Sequence, residues 1–167
     1  MDWVCEPKNK LALLGTVYFI ACFCGGLVLV SVPDRIGRKP SFLIFSSIHA
    51  LAQFVALYCT NYWVRVGAMG TMGFFFARNS VCFNWMFELI STEDQSMANA
   101  AINTWDAATG LVVCGFYLTI ERDWRPIYAM YSYLGLISLA VMAVLMPESP
   151  QWLLINGRKK EAIAALN

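Results

Sequence analysis

The sequence predicts an all-α membrane protein, and three observations carry that reading: its composition, the spacing of its apolar runs and the placement of its basic residues. Of 167 residues, 59% are hydrophobic and only 14% charged, with a mean hydropathy of +0.56. A soluble domain must dress its surface with polar groups, and this composition leaves too few. A lipid membrane is the partner it suits. The net charge of +1 provides no surplus with which to grip a polyanion, so no nucleic-acid partner is expected.

Crossing the hydrocarbon takes about 20 mostly apolar residues in a helix. Five runs approach that length: residues 11–31, 41–59, 62–90, 97–120 and 126–146. Pro33-Asp34-Arg35 is expected to end the first and Thr60-Asn61 the second. The third is long and carries Arg65, Arg78 and Glu88, so it must tilt, kink or protrude. The fourth holds Asp106, and the fifth lies between Asp123-Trp124-Arg125-Pro126 and Pro147. In the polar tail, residues 147–167, Ser149 is a natural N-cap with Pro150 at the first helical position. Residues 151–166 therefore read as one or two short amphipathic helices interrupted near Gly157.

Residues 1–10 carry two acidic side chains and no apolar stretch, so no secretory leader is read there. Arg35, Arg38 and Lys39 follow the first run, and Arg158, Lys159 and Lys160 follow the fifth. Five spans put both clusters on one side, expected to be cytoplasmic, with residues 1–10 outside and Lys8, Lys10, Arg122 and Arg125 opposing. Of the six cysteines, Cys22, Cys24, Cys59, Cys82 and Cys114 fall in or beside apolar runs and read as small hydrophobes. Cys22 and Cys24 point to different helix faces, which argues against a zinc or redox pair. Cys5 alone sits in polar sequence, where a disulfide remains open.

Two motifs give the chain a family likeness. Asp34-Arg35-Ile36-Gly37-Arg38-Lys39 is similar to the D-R-x-G-R-K signature between the second and third helices of the major facilitator superfamily. Physically it needs a tight turn at Gly37, cations in water or headgroups, and an acid that meets a helix N-terminus or a neighbouring arginine. A generic positive-inside loop would explain the three cations but neither Asp34 nor Gly37. Pro147-Glu148-Ser149-Pro150-Gln151-Trp152-Leu153-Leu154 resembles the P-E-S-P-R-W-L segment after the sixth helix of sugar porters and organic-ion carriers. Asp2-Trp3-Val4-Cys5 resembles, with Asp and Trp transposed, the W-D-L-V-C stretch of organic cation, anion and carnitine carriers, which sugar porters lack. Glu88 matches the acid of that family's Y/F-x-x-E pattern.

The resemblance implies the second to sixth helices of a major facilitator N-terminal bundle plus the start of a cytoplasmic linker. The first helix and the C-terminal half would come from outside this chain. It also implies a gate latch of Asp34, Arg35, Gly37, Arg38, Lys39, Glu88, Glu148, Ser149 and Pro150, with Arg35, Arg38 or residues of the other half as partners for Glu88. Three departures stand out: Val30 replaces a glycine, which should hinder close helix packing; Pro33 precedes the motif; and Gln151 replaces an arginine of the inner gate.

Charges at membrane depth cost roughly 2.5–3.5 kcal/mol on insertion scales, so each is a site candidate. At about 1.5 Å per residue, Arg78 lies about 18 Å and Asp106 about 13 Å from the cytoplasmic end. Either they neutralise one another across adjacent helices or one faces a substrate cavity. His49 lines a cavity or is a hydrogen-bonded packing residue. Trp85, Tyr58, Tyr117 and Phe116 are able to stack on an organic cation, although aromatics in membrane helices more often anchor or fill the core. Gly67, Gly70 and Gly73, with Ala68 and Ala77, form a small-residue strip for close helix packing.

The sequence offers no nucleotide loop, metal cluster or nucleophile–base pair, so neither enzyme activity nor a cofactor is expected. The function expected is alternating-access transport of a small organic solute (an organic cation, anion or carnitine-like molecule) in a multi-pass protein of the plasma membrane, with an organelle membrane as the alternative. The alternatives are a sugar-porter-like carrier and a truncated, non-transporting membrane subunit that binds another chain.

Overall fold

A computed structural model describes residues 7–119 and 123–166. The Asp2-Trp3-Val4-Cys5 stretch, any pairing of Cys5, Arg122 and the predicted end of the fourth run at residue 120 lie outside the described residues. Among those described every regular element is helical: α1 (Lys8–Leu29), α2 (Val32–Ile36), α3 (Arg38–Tyr58), α4 (Tyr62–Phe74), α5 (Arg78–Leu89), α6 (Gln95–Thr119), α7 (Arg125–Leu145), α8 (Pro150–Ile155) and α9 (Lys159–Leu166). Three stretches are long and apolar enough to cross a membrane by length and composition: Lys8–Ile36, Arg38–Tyr58 and Arg125–Leu145. The third and fourth predicted runs are helical too, but polar side chains dilute them.

Helix α1 stops at Leu29, and after a two-residue turn Pro33 sits in the first turn of the separate short helix α2, where a missing N–H costs nothing; α2 itself ends at Gly37. The long third run kinks. A single 3₁₀ turn, Phe75–Ala77, separates α4 from α5, tightening the helix just before Arg78. The Ser149 cap forms, its hydroxyl oxygen accepting from the Trp152 N–H at 3.1 Å, and α8 parts from α9 at Gly157, whose φ is +75°.

Two clusters make the core. Small residues fill one, where Ala52 and Ala56 of α3 meet Ala68 and Met72 of α4. At the other end Leu29, Phe42, Phe45, Val81 and Trp85 join α1, α3 and α5, with Met142 and Met146 of the α7 end packed on them. Outward, α1 presents Phe19, Phe23, Leu27 and Val28, a stripe that only lipid or further apolar helices would cover. Val30 also points outward, 60% exposed, so the substitution there does not impede packing. The close approach occurs elsewhere: a Cβ on Gly25 would lie 1.9 Å from the Phe74 carbonyl oxygen, and one on Gly73 would lie 2.2 Å from that of Tyr18. Thus α1 and α4 touch backbone to backbone. Of the predicted strip, Gly73 and Gly70 serve this contact, while Gly67 faces open space. The helix α6 buries no residue and makes no extensive contact with another element.

Candidate functional site

The polar centre of the fold lies where the start of α3 meets the ends of α5 and α7. Its origin is a local problem in the sequence. Helix α3 opens on Arg38 and Lys39 with no acid in its first turn and no side-chain cap from Gly37, so two cations sit at the positive end of a helix dipole. Glu148 solves this from the far end of the chain. Its Oε1 accepts from the backbone N–H of Arg38 at 3.0 Å and of Lys39 at 3.0 Å, and from that of Ser149 at 2.9 Å. Lys39 Nζ returns the favour, donating to the Met146 carbonyl at 2.7 Å just past α7, where a cation suits the negative end of the dipole. Two helix ends thus cap each other.

Around this exchange runs a charge network. The Arg38 guanidinium donates to Asp34 Oδ1 at 2.5 Å and to Glu88 Oε1 at 3.2 and 3.1 Å. The Ser149 hydroxyl donates to the other oxygen of Glu88 while accepting from Trp152. Trp152 Nε1 donates to the Asp34 carbonyl at 3.1 Å. Beneath lies Trp85, fully buried, its Nε1 donating to the Pro147 carbonyl at 3.1 Å. Pro150 is buried at the start of α8. Of the residues expected in the latch, only Arg35 stays out; it is exposed and enters none of these bonds.

Gly37 is the hinge of the arrangement. Its φ of 111° with ψ of 157° is essentially glycine-only, and a Cβ there would stand 2.7 Å from Glu148 Oε2. Gly37→Ala is expected to cost about 2–3 kcal/mol, read as a lower thermal midpoint of the chain in detergent. Gly157→Ala, at a milder φ of +75° with nothing within 4 Å, should cost about half as much.

Of the candidates for a substrate cavity, Arg78 and His49 come together and the others do not. Asp106 is exposed on α6, and the pair considered between it and Arg78 is not formed: the ion pairs among the described residues are Arg38–Asp34, Arg38–Glu88 and Arg158–Glu161. Arg78 instead shares a small cavity with His49 between α3, α5 and α7. Trp85 offers no face to a ligand, because it is fully buried in the core with Phe42 packed at 5.8 Å from its ring. Tyr58 is exposed and bonded to the Tyr133 hydroxyl at 2.7 Å, whereas Phe116 and Tyr117 lie on α6. Sequence reasoning marked Glu148 as a motif residue but missed its role as a remote cap. The signal was present, since a glycine followed by two cations at a helix start calls for an acid from elsewhere.

Comparison with known proteins agrees with this architecture. The chain is 25% identical over 170 residues to organic cation/carnitine transporter 4 of Arabidopsis thaliana, covering 99% of this chain and 32% of that protein. It is 28% identical to the organic cation transporter protein of Drosophila melanogaster, over 99% of this chain and 30% of the relative. To solute carrier family 22 member 4 of Mus musculus it is 26% identical, over 96% and 30%. It therefore spans about a third of the length of the curated relatives it matches. These relatives are transporters rather than enzymes. Residues 5–167 match the profile of the family described as sugar (and other) transporter, and the chain belongs to that family of major facilitator membrane proteins, as part of the N-terminal helical bundle.

Proposed function

We propose that this chain is the half-bundle of a carrier that moves a small organic solute by alternating access, and that the network around Arg38 is its inner latch. The observation that carries the reading is the joining of three distant segments at one end of the bundle by Arg38, Glu88, Glu148 and Ser149. The network has a firm part and a releasable part. Glu148 on the backbone of α3 is half-buried and fixes the α2–α3 turn to the start of α8. The Arg38–Asp34 pair is open to solvent, with the Asp34 side chain 66% exposed, and such pairs cost little to break. A latch needs both. In this reading five helical segments cross the membrane, with α4 and α5 together as one kinked span and α6 as another. Residues 1–10 lie outside and the tail of 147–167 inside, beside the basic clusters at Arg35 to Lys39 and Arg158 to Lys160. The membrane is the plasma membrane. The solute is an organic cation or carnitine-like molecule, as the relatives' names suggest, or an organic anion, as the motif resemblance implies.

Alternating access needs two bundles rocking about one site, and α6 makes no extensive contact with another described element. Further membrane segments, from a C-terminal half or another chain, would complete it. The test is uptake. In liposomes the 167-residue chain alone should give no saturable flux of labelled organic cations, anions or carnitine. Substituted for the matching segment of a full-length organic cation carrier, it should support flux, and Arg38→Gln in that chimera should lower the rate at least severalfold. Saturable flux by the chain alone, or a well-folded chimera without flux, would sink the proposal.

A further inference from the structure

The cavity between α3, α5 and α7 has a chemistry that the latch does not explain. It measures about 80 Å³ and is lined by Phe42, Ser46, His49, Gln53, Arg78 and Ser138 among others, well above the 10–15 Å³ or so that one water needs. Ser46 and His49 are 5% and 8% exposed. The Ser46 hydroxyl and the Arg78 Nε–H are both buried and find no hydrogen-bond partner in the protein. Among the described residues no carboxylate pairs with Arg78; its electrostatic neighbours are Cys82, Tyr18 and His49. A permanent cation whose buried Nε–H has no partner beside a small cavity is costly unless something sits against it.

The geometry points to a binding site for one compact monovalent anion, either a halide or a carboxylate group, held by Arg78 with Ser46, Gln53 and the His49 ring around it. The lining supports the sign: the Arg78 guanidinium only donates, the hydroxyls and the Gln53 amide can each turn a donor inward, and no acidic side chain lines the cavity. Size restricts the choice to something near chloride or acetate. Because the site is defined by binding, it stands or falls independently of whether the chain takes part in transport.

The purified chain in lipid nanodiscs, held in sodium gluconate at constant ionic strength, is titrated with chloride, bromide or acetate while thermal unfolding is followed. A ligand of the folded state should raise the midpoint saturably, with gluconate and sulfate ineffective. A response confined to the halides identifies an inorganic anion, and a response to acetate identifies the carboxylate of an organic solute. Arg78→Gln should weaken apparent affinity at least roughly tenfold, the worth of a charged hydrogen bond, and Ser46→Ala about three- to fivefold. If Arg78→Gln does not fold, Ser46→Ala and the chloride NMR linewidth, which should narrow in that variant, decide the matter. No saturable shift with any of the three anions, or an undiminished response in Ser46→Ala with an unchanged chloride linewidth, would overturn the assignment.

Discussion

Gly25→Ala and Gly73→Ala are each expected to destabilise the bundle by about 3 kcal/mol or more, the largest effect among the glycines of this chain. The added Cβ would stand 1.9 Å from the Phe74 carbonyl oxygen in the first case and 2.2 Å from that of Tyr18 in the second. Neither obstacle is a side chain that rotates away. Both are helix backbone, so α1 and α4 must separate along the contact, and the packing of Tyr18 on Ala52, Ala56, Ala68 and Met72 goes with it. Overpacking a close-packed interior typically costs 1–3 kcal/mol or so, and a rigid backbone obstacle lies at the upper end. Gly26→Ala and Gly67→Ala meet nothing within 4 Å and should be neutral or slightly stabilising, because alanine is the better helix former. Thermal unfolding of the four variants in one detergent is the check. Equal midpoints across the set would mean that α1 and α4 do not meet in the way described.

Glu148→Ala should cost about 3 kcal/mol and Glu148→Gln about 1 kcal/mol. The carboxylate oxygen Oε1 serves three backbone N–H groups, those of Arg38, Lys39 and Ser149. Alanine leaves three donors without their acceptor, two of them at a helix start that also bears two cations. Glutamine keeps an acceptor oxygen of similar reach but loses the charge that offsets Arg38, Lys39 and the helix dipole. The separation between the two variants is the informative quantity. If glutamine costs as much as alanine, long-range charge rather than capping is the source. In the chimeric carrier the same order should appear in uptake, with alanine the more damaging. An alanine variant as stable as the parent would remove Glu148 from the structural account altogether. Hydrogen exchange at the amides of Arg38 and Lys39 reports the local consequence, since both should lose protection in Glu148→Ala before the rest of α3 does.

The sequence by itself determined the solvent, the elements and the members of the charged motifs in outline. Apolar runs of membrane length can be satisfied in lipid only as helices, and Ser149-Pro150 and Gly157 mark the tail's boundaries by their own backbone preferences. Those are local properties. Asp34, Arg38 and Glu88 were legible as latch residues only through the family resemblance of their motifs; which of them pair was not. What only the tertiary structure decided is which groups lie within a few ångströms. The carboxylate of Glu148 reaches α3 across 110 residues of sequence, a distance no periodicity encodes. Gly25 and Gly73 matter, while Gly67 does not, because helix rotation selects which small residue faces a neighbour. Trp85 became core, and Asp106 was left on an open helix, for the same reason: a side chain's role at membrane depth depends on which face the bundle turns inward, and that is set by the summed packing of all the helices rather than by any one of them.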